Sequence, residues 1–242
     1  MYTAPGYGPR RAGADGRYRG GRSGGAVARA GGGDIEALRA RKDRGEAVAV
    51  MTRGAEALLP RLHSAGRFHG VIALGGSGGS AIACTAMRAL PLGVPKVMVS
   101  TVAGGDVSGY VGVKDIVMVP SIVDVAGINR ISREVFARAA GAVCGMVEAE
   151  VPRGEDRPIV AASMFGNTTP AVEAAKAILE REGYEVIVFH ATGTGGRAME
   201  SLIESGYIAG VQDRILKMLA DRPEPAGAIP DIIQYKGVSI SG

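Results

Sequence analysis

Two glycine-rich loops, each fed by a short apolar run, carry the chemistry that is easiest to read in this chain. The first is Gly75-Gly76-Ser77-Gly78-Gly79-Ser80 after Val71-Ile72-Ala73-Leu74. The second is Gly193-Thr194-Gly195-Gly196-Arg197, reached from Tyr184-Glu185-Val186-Ile187-Val188-Phe189-His190 through Ala191-Thr192. Glycine lets a backbone approach a ligand closely, and the start of the following helix adds free N–H groups and about half a positive charge. Strand, glycine loop and helix together predict a phosphate seat. The alternative is a turn that only lets strand and helix pack closely.

The loops exclude two common chemistries. A P-loop needs Gly-Lys-Ser/Thr at its end, and no lysine follows the first loop until Lys96. Gly76-x-Gly78-x-x-Ala81 and Gly193-x-Gly195-x-x-Ala198 fit the loose dinucleotide spacing, but the acid expected about 20 residues on, at the end of the second strand, is missing; that strand ends at Thr101 and the first acid is Asp106. Nucleotide or phosphate binding survives without NAD. Arg197 is placed to meet a phosphate or carboxylate.

The elements that position these loops follow from periodicity. Asp34 caps a short helix over 35–44, and an apolar stripe predicts a second over 46–65, with Pro60 kinking it or resetting its start. The first loop opens a helix near Ala81 that runs to 90. Strands are expected over 96–101 and 116–119, a helix over 131–149, a strand over 159–164, a helix from Pro170 to 182 with Thr169 as its cap, and the strand ending at His190. Alternating strands and helices predict an α/β fold, a Rossmann-like doubly wound parallel sheet, with right-handed crossovers. Loops at the carboxyl ends of its strands then gather on one edge, adding Thr101, Gly104, Gly105, Asp106, Asp124, Asn129 and Arg130 to the candidate site. Asp106 or Asp124 could hold Mg²⁺ through a nucleotide; turn or helix capping is the competing role for each.

Composition bounds the partners. Aromatics make up 5% of the 242 residues with no tryptophan, which leaves single-stranded nucleic acid few stacking platforms. The net charge of +4 belongs to residues 1–33, where six arginines face one acid, Asp15. That Gly/Arg-rich stretch predicts a disordered tail with at most a weak nucleic-acid signal. No apolar run reaches the length of a membrane span or a signal peptide, and Cys84 and Cys144 look like isolated core residues, so a cytoplasmic protein is expected. The domains expected are 34–151, a linker at 152–157, and a partial second α/β domain over 158–242, with a helix at 213–220 and a lone strand at 232–235.

The motifs Leu74-Gly75-Gly76-Ser77-Gly78-Gly79-Ser80, Ser100-Thr101-Val102-Ala103-Gly104-Gly105-Asp106, Asp124-Val125-Ala126-Gly127-Ile128-Asn129-Arg130 and His190-Ala191-Thr192-Gly193-Thr194-Gly195-Gly196-Arg197, spread over residues 31–211, resemble the family of uncharacterised bacterial and fungal proteins that share the ATP-binding domain of the plant tobamovirus-resistance protein. The resemblance implies a two-domain Rossmann-like protein that binds ATP and, in the plant member, a viral protein partner. Family members begin with a strand and a Gly-Thr-x-Asp-Thr-Lys-Gly loop and carry a longer second domain, so a truncated second domain is expected here. Three readings follow. One is ATP binding, with phosphates held by both loops at an interdomain cleft. Another is an enzyme acting on a small acidic or phosphorylated metabolite, with His190 as general base and Ser77 or Thr192 orienting substrate. The last is a protein-interaction module without ligand. A homo-oligomer is compatible with each.

Overall fold

The computed structural model describes residues 24–152, 154–191 and 193–211, and the chain divides between Glu150 and Val151 into two compact α/β units. Residues 1–23, the helix expected at 213–220 and the strand expected at 232–235 lie outside the described residues.

The first unit opens with three helices, α1 (Gly24–Ala30), α2 (Ile35–Arg41) and α3 (Arg44–Ser64). Asp34 and Asp43 start the latter two by accepting the N–H groups of Ala37 and Glu46, which is why α3 begins at Arg44 rather than at 46. Pro60 neither resets nor ends α3, which runs through it to Ser64; so near the helix end the missing N–H removes a single bond. Helix α1 lies inside the stretch expected to be structureless. Its anchor is a glycine contact with α3: a methyl group on Gly31 would fall 2.0 Å from the Val50 carbonyl oxygen, and one on Gly54 1.9 Å from that of Val27. The two backbones touch, and Ala28 is buried there beside Leu38 and Val50. Composition reads those glycines as disorder; their use as a contact appears only once α3 is in place.

Strands β1 (Val71–Gly75), β2 (Lys96–Ser100) and β3 (Val117–Pro120) form a parallel sheet in that order. Helix α4 (Ser77–Arg88) joins β1 to β2, the short α5 (Ser108–Val111) precedes β3, and α6 (Arg130–Glu148) follows it. Alternation along the strands sends Val71, Ala73 and Met98 to one face, against Leu59 of α3 and Cys84 and Met87 of α4. Ile72, Val97 and Val99 face the other way, against Ala139 and Val143 of α6. A sheet covered on both faces favours near-continuous apolar strands, as in Val71–Leu74 of β1 and Val97–Val99 at the centre of β2.

The second unit holds β4 (Ile159–Met164), a 3₁₀ turn (Gly166–Thr168), α7 (Thr169–Arg181), β5 (Glu185–His190), α8 (Gly195–Glu204) and β6 (Ile208–Val211), with parallel order β5-β4-β6. Val172, Ala175 and Leu179 of α7 pack on Val160, Ala162 and Val186. Thr168 precedes the helix in place of Thr169, whose hydroxyl donates to the Gly166 carbonyl. Strand β6 has no counterpart in the sequence reading, because four residues with a glycine among them carry no period of their own. Both units are Rossmann-like α/β arrangements of parallel strands with helical crossovers.

Among the described residues no helix is long and apolar enough to cross a membrane. Cys84 is buried and Cys144 exposed, both as free thiols. Burial pushes the Cys84 thiol above its ordinary value of 9.0, with Arg88 opposing. Cys144 should therefore react with an alkylating reagent in the native protein while Cys84 reacts only on unfolding, as mass spectrometry of the labelled sites will show. Because the folded state holds the Cys84 proton more tightly, its contribution to stability is complete below pH 9.0 and is lost as pH rises above it.

Candidate functional site

The first glycine loop is shorter than its sequence suggests. Helix α4 begins at Ser77, not near Ala81, so Ser77, Gly78, Gly79 and Ser80 form its first turn and Gly76 alone is the cap. Gly76 has no side chain with which to cap, and the Ser80 N–H closes the first helical bond onto the Gly76 carbonyl at 2.8 Å. The N–H groups of Ser77, Gly78 and Gly79 thus point out of the helix with no acceptor upstream. Gly75 is required for a separate reason: a methyl group there would lie 3.0 Å from the Gly79 Cα, so strand end and helix start are nearly in contact. Close packing and open donors coexist in one turn.

Beneath this turn runs a buried chain of hydroxyls. Ser80 and Ser100 are both fully buried, with their Oγ atoms 2.6 Å apart. Ser80 Oγ donates to the Gly76 carbonyl at 2.9 Å, so its single proton is committed and Ser100 must donate to Ser80. Ser100 Oγ then accepts from the Val102 N–H at 3.2 Å. Every member is satisfied, and the chain ties the start of α4 to the loop after β2. The Ser80 hydroxyl and N–H are committed here, while the N–H groups of Ser77, Gly78 and Gly79 have no acceptor among the described residues.

The other candidates of this unit lie around the same edge. Thr101 donates its N–H to the Gly75 carbonyl at 3.3 Å, and its Oγ1 lies 3.6 Å from where a Gly76 methyl would be. Gly104 and Gly105 are exposed in the turn that follows. Asp106 accepts the Ser108 N–H at 2.9 Å, and hydrogen bonding from Ser108 holds its carboxyl below the ordinary value of 3.8. Asp124 accepts the Val125 N–H at 2.7 Å. Asn129 caps α6, taking the N–H groups of Ile131 and Ser132 while the Ser132 hydroxyl accepts the Asn129 N–H. Arg130 is exposed at the first position of α6. Among the described residues, no three His, Cys, Asp or Glu side chains gather into a metal-binding group.

One neighbour is absent from the sequence reading. Arg44, the first residue of α3, reaches the start of α4, where its Nη2 lies 3.6 Å from a methyl group placed on Gly78. A guanidinium beside the positive end of a helix is repelled unless an anion lies between them. Among the described residues Arg44, Arg130 and Arg197 make no ion pair. Arg44 stands more than 30 positions before the loop, and nothing in its local sequence points there.

The second loop repeats the device. Gly193 takes φ of 69°, Thr194 precedes α8 without a side-chain cap, and the Ala198 N–H closes the first helical bond onto the Thr194 carbonyl at 2.9 Å. A methyl group on Gly195 would meet the His190 carbonyl oxygen at 1.9 Å, again pressing helix start onto strand end. His190 is exposed as the last residue of β5, and Arg197 is exposed in the first turn of α8. Thr192 lies outside the described residues.

Comparison with known proteins gives a consistent picture. The N-terminal domain of the uncharacterised protein family UPF0261 matches residues 22–152, and the C-terminal domain of the same family matches residues 157–223. A UPF0261 protein of Clostridium tetani is 55% identical over 189 residues, covering 77% of this chain and 46% of its own. The ToMV susceptible protein tm-1 and the ToMV resistance protein Tm-1 of Solanum lycopersicum are each 45% identical over 184 residues, covering 74% of this chain and 24% of theirs. The chain thus spans about half the length of its bacterial relative and about a quarter of the tomato proteins.

Proposed function

The chain belongs to the uncharacterised protein family UPF0261, and from that membership we propose that it binds a nucleotide, with ATP as the ligand the family resemblance implies. The observation that carries this reading is the start of α4: three outward N–H groups, no capping side chain, and beside them the Arg44 guanidinium, which makes no ion pair among the described residues. Each feature favours an anion, and phosphate oxygens suit all of them. The start of α8, with Arg197 in its first turn, offers the second unit a seat of the same kind. Mg²⁺ would arrive with the nucleotide, held mainly by phosphates and water, with Asp106 or Asp124 supplying a single carboxylate. A cytoplasmic setting, in which Cys84 and Cys144 remain thiols, goes with this reading.

Thermal melting with ATP, NAD and inorganic phosphate tests it. ATP at 100 times its dissociation constant adds about 2.7 kcal/mol to stability, and a clear rise in melting temperature is expected for ATP above the other two. Arg44→Glu, an exposed substitution, should weaken ATP binding about tenfold, the effect of about 1.4 kcal/mol, while the unliganded protein melts as before. No shift with ATP would remove the nucleotide reading.

A further inference from the structure

The loop that leaves β3 holds a backbone arrangement the rest of the fold does not need. Ile122 has φ of 65°, a conformation that β-branched residues adopt only under constraint. The constraint is Ser121. Its N–H donates to the Ser100 carbonyl at 3.0 Å, its hydroxyl to the Val123 carbonyl at 2.6 Å, and its own carbonyl accepts the Val123 N–H at 2.7 Å. The last bond closes a three-residue turn of the rare, strained hand around Ile122. Five residues on, Gly127 takes φ of 102°, a second pivot, and Asn129 then fixes the chain to α6 through its capping box. Both ends of residues 121–129 are tied down, and the piece between the pivots is held by few bonds.

The side chains on this piece are equally out of place. Ile122 is 74% exposed and Ile128 is 75% exposed, so neither gains from burial within the unit. The loop stands two strand spacings from β1, about 10 Å, on the carboxyl edge that also carries the start of α4. That span is comparable with the reach of a nucleotide from its phosphates to its base. Strain of this kind persists only where surrounding bonds impose it, and it clusters at ligand clamps and switch segments.

We propose that residues 121–129 are a strap that closes over the base of a nucleotide whose phosphates sit at the start of α4, carrying Ile122 and Ile128 onto the base and letting Ile122 leave the left-handed region. The inference rests on the nucleotide reading above. It adds a site for the base, which the phosphate seat alone does not provide. Aliphatic side chains serve in this role where aromatic residues are scarce.

Hydrogen exchange on the whole chain, with ATP, with tripolyphosphate and with neither, tests the strap. ATP should slow exchange across 122–128, and tripolyphosphate should raise the melting temperature without slowing exchange there. Ile128→Ser, on an exposed side chain, should weaken ATP binding about tenfold and leave tripolyphosphate binding unchanged. Ile122→Gly accepts the left-handed conformation freely, so the unliganded variant should melt no lower than the parent. Stabilisation by ATP without slower exchange, equal slowing by tripolyphosphate, or equal loss of both ligands in Ile128→Ser would overturn the strap and leave nucleotide binding standing. Absence of stabilisation by either ligand would overturn both.

Discussion

Replacing Gly195 with alanine is expected to destabilise the second unit by about 3 kcal/mol or more, while the same change at Gly196 leaves it intact or slightly more stable. At Gly195 the new methyl carbon would stand 1.9 Å from the His190 carbonyl oxygen and 2.9 Å from its carbonyl carbon. Both are backbone atoms of the strand end, so no side chain can move aside, and the helix must shift off β5. An overpacked contact costs about 1–3 kcal/mol where side chains adjust; here they cannot, which places the effect at or above the top of that range. A methyl group on Gly196 meets nothing within 4 Å, and alanine in a helix gains up to about 1 kcal/mol over glycine. Urea unfolding of the two variants, followed by far-ultraviolet circular dichroism, makes the comparison. Equal effects would mean that α8 does not start where the contact places it.

The second large effect is expected at Asp115. Lys96 opens β2 with its side chain fully buried, and its ammonium is held by the carbonyls of Pro91 and Val94 at 2.7 and 2.9 Å and by Asp115 Oδ1 at 2.7 Å. Burial pushes the Lys96 ammonium below its ordinary value of 10.5, and Asp115 draws it back. Asp115→Ala leaves the charge buried beside two neutral acceptors, and removing one partner of a buried pair costs about 3–5 kcal/mol. Since Asp115 is itself partly exposed, an effect near 3 kcal/mol is expected. Lys96→Met should cost less, because the carboxylate left behind can meet water. The ordering of the two midpoints in urea checks the argument; a larger loss for Lys96→Met would show that the lysine acts mainly as a tie for the loop over 91–95. This pair lies at the amino end of β2, away from the glycine turn, so neither variant acts on the candidate site directly.

The long periodic elements were legible from the residues. Apolar β1 and β2, the stripe of α3 and the glycine stop at Gly183 all announce themselves, because burial on two faces leaves a strong pattern. What escaped were features made by contact. Helix α1 depends on Gly31 meeting Gly54, a pairing across more than 20 residues that composition reads as looseness. Strand β6 depends on β4 for its existence. The helical state of Ser77-Gly78-Gly79-Ser80 runs against glycine's propensity and follows from the Ser80 bonds to Gly76 and Ser100. The candidate site divides in the same way. Its glycines were visible from spacing, whereas Arg44 and the turn at Ile122 arise from tertiary placement and have no local signature.

The directed hydroxyl chain beneath α4 also restricts which sequences can build this turn. Positions 80 and 100 each need one proton to give and room for nothing more. Alanine breaks the relay, threonine adds a methyl group to an enclosed space, and the longer bonds of cysteine stretch the 2.6 Å link. A sequence of this fold that carries serine at both places therefore announces, from two residues 20 apart, that its glycines are wound into the helix rather than draped before it. Serine pairs of this kind are a spelling rule for the turn, readable where glycine spacing by itself is ambiguous.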